Sequence, residues 1–345
     1  MPSATPVSFI VSNFNGGKYL PRLVESLRAQ EHIEVELIIV DRQSTDDSPA
    51  FYAQNPWIKV IQHPPETGLV SGYAEGFKVA SHNLVHFSNE DMWYAPECLR
   101  LCVEALMSDD EVAAVMPTQY SYDGTRLYTC GIWFQRTRWS TRALPYPFRK
   151  QCFHKLARTA QSCFANAGSC LVRRSAYEQA GGWDVSFFLD GEDTDLGMRF
   201  WQMGWKCLSL PEAIVGHAVG ASNTQSLPNT KSAVGQKRYV HALSNFMALG
   251  IKYFSARYLP LVFLAWMDWA MRDLIRGRFH LVLLDLKGLN VTIQRIPSFL
   301  EYRKSHRQLN RLKPGENFFK DPIFDYSCIN QNRAESIPWE LCALR

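Results

Sequence analysis

Residues 7–11, Val-Ser-Phe-Ile-Val, form an apolar run that leads directly into the polar turn Ser-Asn-Phe-Asn-Gly-Gly at residues 12–17. Apolar residues then recur at helical spacing, at positions 20, 23, 24 and 27. A short apolar run closed by turn residues predicts a buried strand, and the stripe that follows predicts an amphipathic helix. This stretch therefore predicts the first strand, turn and helix of an α/β fold.

Two later stretches repeat this order of strand, polar turn and helix. Residues 35–40 predict a buried strand that ends at Asp41, and residues 44–48 supply capping side chains for a helix. Residues 84–87 predict another strand, which ends at residues 89–91. Such alternation predicts a mostly parallel sheet with helices on both faces. Because ligands of such sheets bind outside the carboxyl ends of the strands, the polar clusters there predict a ligand site.

The alternation continues beyond these stretches. Residues 57–62 predict a strand, and residues 73–81 predict a helix. Residues 193–203 predict a later helix, and two strand-like segments follow it at residues 206–210 and 213–215.

The composition narrows the class of protein. The chain has 345 residues, of which 46% are apolar and 20% charged, and this excludes a disordered or fibrous protein. The 37 basic and 33 acidic residues give a net charge of +4, which does not indicate a nucleic-acid partner. The nine cysteines include no Cys-x-x-Cys pair, so we expect free thiols in a reducing cytosol, and neither a zinc site nor a disulfide framework.

The hydropathy along the chain predicts a cytoplasmic protein. Residues 1–6 lack the basic and apolar regions of a signal peptide. No uncharged apolar run reaches the ~18 residues of a membrane-spanning helix.

The composition changes in the last third of the chain, so we divide it into residues 1–225, 226–313 and 314–345. Residues 231–313 hold 15 Lys and Arg against four Asp and Glu, a balance of +11, and the rest of the chain carries −7. Basic, amphipathic segments with aromatic residues are typical of membrane-surface elements. The alternative is a helical region that packs on the α/β domain, and both interpretations can hold together. The tail at residues 314–345 shows no clear periodicity.

Residues 89–91, Asn-Glu-Asp, could hold a divalent cation at the end of a strand. Oxygen ligands suit Mg²⁺ and Mn²⁺, and Mg²⁺ commonly combines one or two protein carboxylates with diphosphate oxygens. His217 follows the last strand-like segment, where a neutral imidazole could complete a metal site begun by Asp91. The alternatives are an exposed acidic turn and a structural histidine.

Four carboxylates crowd residues 190–195, at the start of a predicted helix. Neighbouring carboxylates raise one another's pKa, which suits a general base that works near neutral pH. Acidic residues also favour helix N-termini through the helix dipole, so some of the four could serve only to cap the helix.

Two further segments could meet a nucleotide. Asp41 could accept hydrogen bonds from a base N–H or a ribose hydroxyl, although with Ser44 it could equally form only a capping turn. The glycines of residues 68–72 precede a predicted helix and could let the backbone approach a phosphate. This loop lacks the Gly-Lys-Ser/Thr ending of a P-loop.

Taken in order, these segments resemble glycosyltransferase family 2, whose members are inverting enzymes with the GT-A fold. The elements that carry the resemblance lie at residues 7–16, 39–46, 68–76, 87–91, 166–174, 181–188 and 192–217. They cover about residues 6–222. The sequence departs from the family pattern where Asn89 replaces the first Asp of the commoner acidic motif, and where Arg42 and Gln43 replace a smaller pair.

The resemblance implies a role for each matching residue. It implies that Asp193 is the general base with Glu192 beside it, and that Asp91 and His217 bind Mg²⁺ or Mn²⁺. On the nucleotide-sugar side it places Ser12, Asn13, Asn15, Asp41, Ser44, Gly68, Gly72, Asn89, Glu90 and Asp91. On the acceptor side it places Gly168, Trp183 and Asp195.

The implied activity is an inverting, metal-dependent transfer of a hexosyl group from a nucleotide-diphosphate sugar, UDP- or dTDP-linked, to a hydroxyl of a glycan. The basic region at residues 226–313 favours a lipid-linked acceptor and a peripheral position at the cytoplasmic face of a membrane, as in cell-surface polysaccharide assembly. The alternatives are a sugar-1-phosphate nucleotidyltransferase and a non-catalytic relative that binds glycan or lipid.

Overall fold

The computed structural model describes residues 4–129, 132–135, 149–152, 159–162, 168–218 and 232–306. The strands are β1 (Thr5–Asn13), β2 (Ile33–Asp41), β3 (Lys59–Gln62), β4 (Leu84–Asn89), β5 (Met92–Tyr94), β6 (Val112–Ser121), β7 (Leu127–Thr129), β8 (Ile132–Gln135), β9 (Arg149–Cys152), β10 (Ala160–Ser162), β11 (Ser169–Arg173) and β12 (Lys206–His217). The α-helices are α1 (Leu20–Arg28), α2 (Ser48–Gln54), α3 (Leu69–Val79), α4 (Cys98–Met107), α5 (Arg174–Gln179), α6 (Glu192–Gln202), α7 (Ala233–Tyr253), α8 (Leu259–Ile275) and α9 (Phe279–Ser305). The tail predicted at residues 314–345 lies outside the described residues.

One large mixed sheet organises the α/β part of the chain. Its strand order is β10-β12-β6-β11-β4-β1-β2-β3, with β5 and β7 paired to β12 and β6. Strands β3, β2, β1 and β4 are parallel, β11 runs antiparallel between β4 and β6, and β6 and β12 are parallel to each other. The predicted α/β class with a mostly parallel sheet is confirmed. Strands β8 and β9 form a separate antiparallel pair.

Alternate side chains of β1 pack into cores on opposite faces of the sheet. Phe9 and Val11 pack with apolar residues of α1 and α4, whereas Ile10 packs with residues of α3, α5 and α6. This two-residue alternation is the geometry of a pleated strand that is buried on both faces. The predicted apolar run of β1 therefore lies in the middle of a three-layer arrangement.

Helices α7, α8 and α9 pack on this arrangement through a third core. Met198 of α6 and Met116 of β6 are buried together with Met247 of α7, Val262 of α8 and Phe299 of α9. The interpretation that the region at 226–313 packs on the α/β domain is therefore observed for its described part, residues 232–306.

Among the described residues, no helix combines the length and the hydropathy that crossing a bilayer requires.

Several predicted boundaries differ from those in the structure. Strand β3 begins at Lys59, two residues after the predicted start, and α3 already begins at Leu69. The two strand-like segments predicted at 206–210 and 213–215 form the single strand β12. A β-bulge within this strand separates the two predicted segments: Leu210 pairs with Pro117, and the next paired residue, Ile214, pairs with Thr118.

Four of the cysteines, Cys98, Cys102, Cys170 and Cys207, are buried and carry free thiols. Burial raises the pKa of the Cys170 thiol well above its usual value, so it stays protonated and packs as a small apolar side chain. The prediction of free buried thiols is confirmed for these four residues.

Candidate active site

A buried polar network joins the carboxyl ends of β1 and β2. Asp41 accepts hydrogen bonds from the Asn13 amide at 3.1 Å, the Ser44 hydroxyl at 2.6 Å and the Tyr52 hydroxyl at 3.1 Å. The Ser44 hydroxyl accepts a further bond from the Asn15 backbone N–H at 2.9 Å. The parallel register pairs Asn13 directly with Asp41, which brings these four predicted residues together. Their contact with a nucleotide stays a prediction.

The same carboxylate also holds its own turn. Asp41 accepts a hydrogen bond from the Ser44 backbone N–H at 3.1 Å, and Asp46 accepts one from the Ser48 backbone N–H at 3.0 Å at the start of α2. The capping interpretation of residues 41–48 is therefore observed. It does not exclude a nucleotide role, because a preorganised carboxylate can accept a further bond.

Two glycines let the start of α3 approach neighbouring segments closely. A Cβ on Gly72 would collide with the Ser12 Oγ atom of β1, and a Cβ on Gly68 would collide with Phe188. Gly68 also has a φ of +84°, which glycine adopts most easily. Packing accounts for both glycines, and their contact with a phosphate stays a prediction.

Glu90 is buried beneath the turn that follows β1. A Cβ on Gly16 would collide with the Glu90 side chain, so the turn needs glycine there. Burial and the adjacent Asp91 raise the pKa of Glu90 to about 7, and the Arg42 guanidinium partly opposes that increase. Arg42 lies over the Phe14 ring, 5.1 Å from its centroid. The arginine that departs from the family pattern thus lies beside residues that the sequence predicts to bind the nucleotide.

Asp91 and His217 meet at the edge where β5 pairs with β12. The register pairs Met92 with His217, and the His217 Nε2 atom lies 3.2 Å from a carboxylate oxygen of Asp91. The Nδ1 atom of His217 lies 3.3 Å from the amide oxygen of Gln119, which can only accept a hydrogen bond. A proton on Nδ1 would be donated to this oxygen, and the Nε2 lone pair would then be directed toward Asp91.

This pair fits a divalent cation by the chemistry of its donors. A carboxylate oxygen and an imidazole lone pair converge, and the other positions around Mg²⁺ or Mn²⁺ are commonly filled by substrate phosphates. Asn89 is adjacent, since its amide lies 3.4 Å from His217 Nε2. No group of three or more His, Cys, Asp or Glu side chains within the described part of the chain forms a site made of protein ligands alone.

The buried phenol of Tyr73 lies between the two acidic segments. Its hydroxyl donates a hydrogen bond of 2.9 Å to the side-chain oxygen of Asn89. Burial is the main cause that raises its pKa far above the usual value, and both Glu90 and Glu192 add to that effect. Tyr73 also lies in the same buried core as Leu196 of α6, so the helix that begins at Glu192 packs on the face of the sheet where Tyr73 meets Asn89. Asp193 is nearly buried, at 8% exposure.

The turn before α6 has an unusual backbone that α7 holds in place. Asp190 and Gly191 both have positive φ, at +69° and +98°. Arg238 of α7 donates two hydrogen bonds to the Asp190 carboxylate, at 2.8 and 3.0 Å. Asn245 of α7 donates to the carbonyl oxygens of Leu189 and Asp190, at 3.1 and 2.9 Å. The C-terminal helices therefore set the position of the turn that presents Glu192 and Asp193.

Asp195 is fully buried in an ion-pair network between α6 and α7. Its carboxylate pairs with Arg199 at 2.7 Å and with the ammonium of Lys252, and it accepts a hydrogen bond from Tyr253 at 2.7 Å. Lys252 also pairs with Asp184 at 3.0 Å. The acceptor-side role of Asp195 stays a prediction, and the structure adds a role in joining the two helices.

We expect Asp195→Asn to lower the free energy of unfolding by about 3–5 kcal/mol, because it leaves buried cations without their central carboxylate. Glu104→Gln is a matched control, since Glu104 and Arg100 form an exposed ion pair with the same four-residue spacing. We expect that change to lie near the measurement error. Urea unfolding of both variants measures the difference. Equal effects of the two substitutions would contradict the assignment.

The other two acceptor-side residues lie next to β4. The Gly168 carbonyl oxygen accepts a hydrogen bond from the Asn89 backbone N–H at 3.0 Å, which places Gly168 beside the acidic motif. Trp183 is buried against the rings of Tyr73 and Phe87. Asn166 and Ala167, which belong to the same sequence element as Gly168, lie outside the described residues.

Besides Tyr52, whose hydroxyl donates to Asp41, the sequence interpretation missed four residues that shape the site. Two of them contact predicted site residues directly, and two hold the turn before α6. They are Tyr73, Gln119, Arg238 and Asn245. A polar pair at residues 244–245 within an apolar helical stretch was the available signal for Asn245, whereas no local signal marks Gln119.

Comparison with known proteins agrees with this site. A family described as glycosyl transferase family 2 matches residues 8–181. The N-acetylglucosaminyl-diphospho-decaprenol L-rhamnosyltransferase of Mycobacterium tuberculosis is 25% identical over 247 residues, which are 63% of this chain and 76% of that protein. An uncharacterized glycosyltransferase of the same species is 30% identical over 190 residues, which are 54% of this chain and 66% of that protein.

A solved structure shows the same fold. The crystal structure of GalNAc-T7 with UDP, GalNAc and Mn²⁺ matches with a TM-score of 0.58 and 14% sequence identity. The match covers 89% of this chain and 58% of that chain, so this chain spans little more than half the length of that structure. At this identity the likeness concerns the fold alone.

The fold and the family match together define a glycosyltransferase with the GT-A fold. Because the family match covers half of its 345 residues, the chain belongs to glycosyl transferase family 2. The resemblance stated from the sequence motifs is confirmed.

Proposed function

We propose that the protein transfers a hexosyl group from a nucleotide-diphosphate sugar to a hydroxyl of a glycan acceptor, with inversion at the anomeric carbon. The observation that carries this proposal is the position of Tyr73, which donates a hydrogen bond to Asn89 in one acidic segment and packs in the same core as α6, the helix that begins with the other. One segment holds Asp91 beside His217, and the other holds Glu192 and Asp193 on a turn fixed by α7. Both lie on a chain of glycosyl transferase family 2.

The chain's own residues would divide the reaction between them. The network of Asn13, Asn15, Asp41 and Ser44 would bind the nucleoside of the donor, UDP- or dTDP-linked. Asp193 would accept the proton of the acceptor hydroxyl while that oxygen attacks the anomeric carbon on the face opposite the leaving diphosphate. Attack from that face inverts the configuration.

Asp91 and His217 would hold a divalent cation, which would supply positive charge to the leaving nucleotide diphosphate when bound. The fit rests on the 3.2 Å approach of their donor atoms and on the Gln119 contact that directs the His217 lone pair. The structure of GalNAc-T7 with UDP, GalNAc and Mn²⁺ has the same fold.

We further propose a lipid-linked acceptor in cell-surface polysaccharide assembly, at the cytoplasmic face of a membrane. The rhamnosyltransferase relative is named for a diphospho-decaprenol substrate. The balance of +11 within residues 231–313 also favours an acceptor at an anionic surface. The family match gives the alternatives, a nucleotidyltransferase or a non-catalytic relative, no support.

Thermal unfolding with UDP, GDP, CDP and dTDP, each with and without Mn²⁺, tests the donor site. We expect UDP or dTDP to raise the midpoint only with Mn²⁺, because a ligand that binds the folded state stabilises it by ~2.7 kcal/mol at 100-fold above its Kd. Mn²⁺ alone serves as the control. The absence of a shift with all four nucleotides would contradict the proposal. Release of pyrophosphate from a nucleoside triphosphate would instead indicate the nucleotidyltransferase.

A further inference from the structure

We propose that the helical hairpin formed by α8 and α9 docks the enzyme on an anionic lipid bilayer. Fifteen large apolar side chains are exposed in the described part of the chain, and ten of them lie between residues 264 and 300. The most exposed are Ile275 at 78%, Phe279 at 65% and Leu283 at 61%. Single exposed apolar residues scattered over a surface are normal, whereas a cluster of them on one hairpin marks an interaction surface.

The spacing places these side chains on one face of each helix. In α8 they occur at positions 264, 267, 271, 274 and 275, and in α9 at positions 279, 283, 286, 293 and 300. Steps of three, four and seven residues follow one stripe of a helix. The opposite faces are already buried, with Val262 of α8 and Phe299 of α9 in the core shared with α7. The exposed stripe is therefore a second apolar face that the residues described by the structure leave uncovered.

The charges on the hairpin favour an anionic partner. Asp268 pairs with Arg272 at 2.8 Å, Asp273 pairs with Arg278 at 3.3 Å, and Asp285 is fully buried. These are the acids between residues 264 and 293.

Two cations remain exposed between residues 264 and 293. Arg276 and Lys287 are exposed, and neither has an ion-pair partner among the residues that the structure describes. Glu301 is exposed at the end of α9 far from the hairpin tip. Nearer the tip, between residues 264 and 293, the apolar face has exposed cations and no exposed acid without an ion pair, which suits anionic lipid head groups. A second copy of the chain fits less well, because a contact between two identical surfaces would bring the exposed cations of both copies into one interface.

The hairpin tip lies at the catalytic end of the helical region. Contacts between α7 and α9 run in the same order along both helices, from Tyr239 with Asp285 to Ile251 with Arg303, so these helices are parallel. The turn between α8 and α9 therefore lies toward the first half of α7, the half that also carries Arg238. A bilayer beneath the tip would bring a lipid-linked acceptor toward the turn before Asp193. This part of the inference rests on the proposed function.

Flotation of the full chain with vesicles tests the surface without donor or acceptor, so it is independent of activity. We expect binding to vesicles of phosphatidylcholine with 30% phosphatidylglycerol and weaker binding to phosphatidylcholine alone. The double variant Ile275→Ser/Phe279→Ser should bind at least tenfold more weakly, because each buried methylene contributes roughly fourfold. Met107→Ser/Val185→Ser is the matched control, since both residues are 55% exposed outside the hairpin, and it should bind like the wild type.

A charge variant separates the electrostatic part. Arg276→Ala/Lys287→Ala should weaken binding to the anionic vesicles roughly 25-fold at low salt, about fivefold for each charge, and leave binding to neutral vesicles unchanged. Unaltered thermal midpoints would show that the variants fold.

Two results would overturn the inference. One is the absence of wild-type binding to both kinds of vesicle, or wild-type binding that the serine pair at 275 and 279 does not weaken. The other concerns self-association. If the wild type is a dimer in light scattering, and the double variant Ile275→Ser/Phe279→Ser is a monomer that still binds vesicles normally, the exposed face serves to join two copies of the chain. A failure of sugar transfer alongside normal flotation would count against the proposed function only.

Discussion

Asp193→Asn is expected to abolish sugar transfer while nucleotide binding persists. The amide keeps the size of the carboxylate but cannot accept the proton of the acceptor hydroxyl. General-base catalysis typically contributes ~10²–10⁴-fold, and kcat should fall by at least that factor. The proposed donor side, at the ends of β1, β2 and β4, does not include this carboxylate, so the affinity for nucleotide should stay within about twofold.

Two further variants make this test specific to Asp193. Glu192→Gln changes the adjacent carboxylate and should cost much less than Asp193→Asn if Asp193 is the base. Asp110→Asn alters an exposed carboxylate on the opposite, amino-terminal side of β6 and should leave kcat unchanged. Initial rates with saturating donor and acceptor measure the three variants. Near-normal turnover of Asp193→Asn would end the assignment of the base.

Asp91→Ala is expected to remove metal-dependent nucleotide binding. The substitution deletes one of the two protein donors that converge 3.2 Å apart, and His217 alone would hold the cation weakly. Loss of a residue that only supports a metal ligand commonly costs 10–100-fold in metal affinity, so loss of a ligand should cost about 100-fold or more. Calorimetric titration of nucleotide in the presence and absence of Mn²⁺ measures this loss.

Variants of two neighbouring residues distinguish a residue that binds the metal from one that only orients a metal ligand. His217→Ala should reduce the Mn²⁺-dependent affinity in the same direction, and Gln119→Ala should reduce it less, because Gln119 only orients the imidazole. Asp110→Ala should have no effect. Nucleotide affinity that responds equally to Mn²⁺ in the wild type and in Asp91→Ala would overturn the ligand assignment.

The local sequence pattern predicted the elements of the sheet well. The apolar run at residues 7–11 lies within β1, and the runs at 35–40 and 84–87 lie within β2 and β4. Burial on both faces requires such runs, so the signal needs no distant contact. The boundaries that differed, as at β12, depend on a bulge opposite β6 that only strand pairing reveals.

The residues at the strand ends that form the candidate site could be predicted from the sequence, but the residues that hold them in place could not. Asn89 and His217 stand 128 positions apart, yet their side chains lie 3.4 Å from each other. Each could be proposed from the sequence because each follows a strand at its carboxyl end. Gln119 lies within a strand and has no such signal, and its contact with His217 exists only because β6 and β12 are neighbours in the sheet.

The sequence by itself determined the strands, the amphipathic helices and the polar residues at the strand ends, because these depend on periodicity and turn chemistry within a few residues. The tertiary structure decided which of those polar residues meet, and it made Arg238 and Asn245 the supports of the turn before Asp193. It also decided which faces of α8 and α9 are covered by α7 and which remain exposed. These outcomes depend on contacts between distant segments, whose free energy no local pattern records.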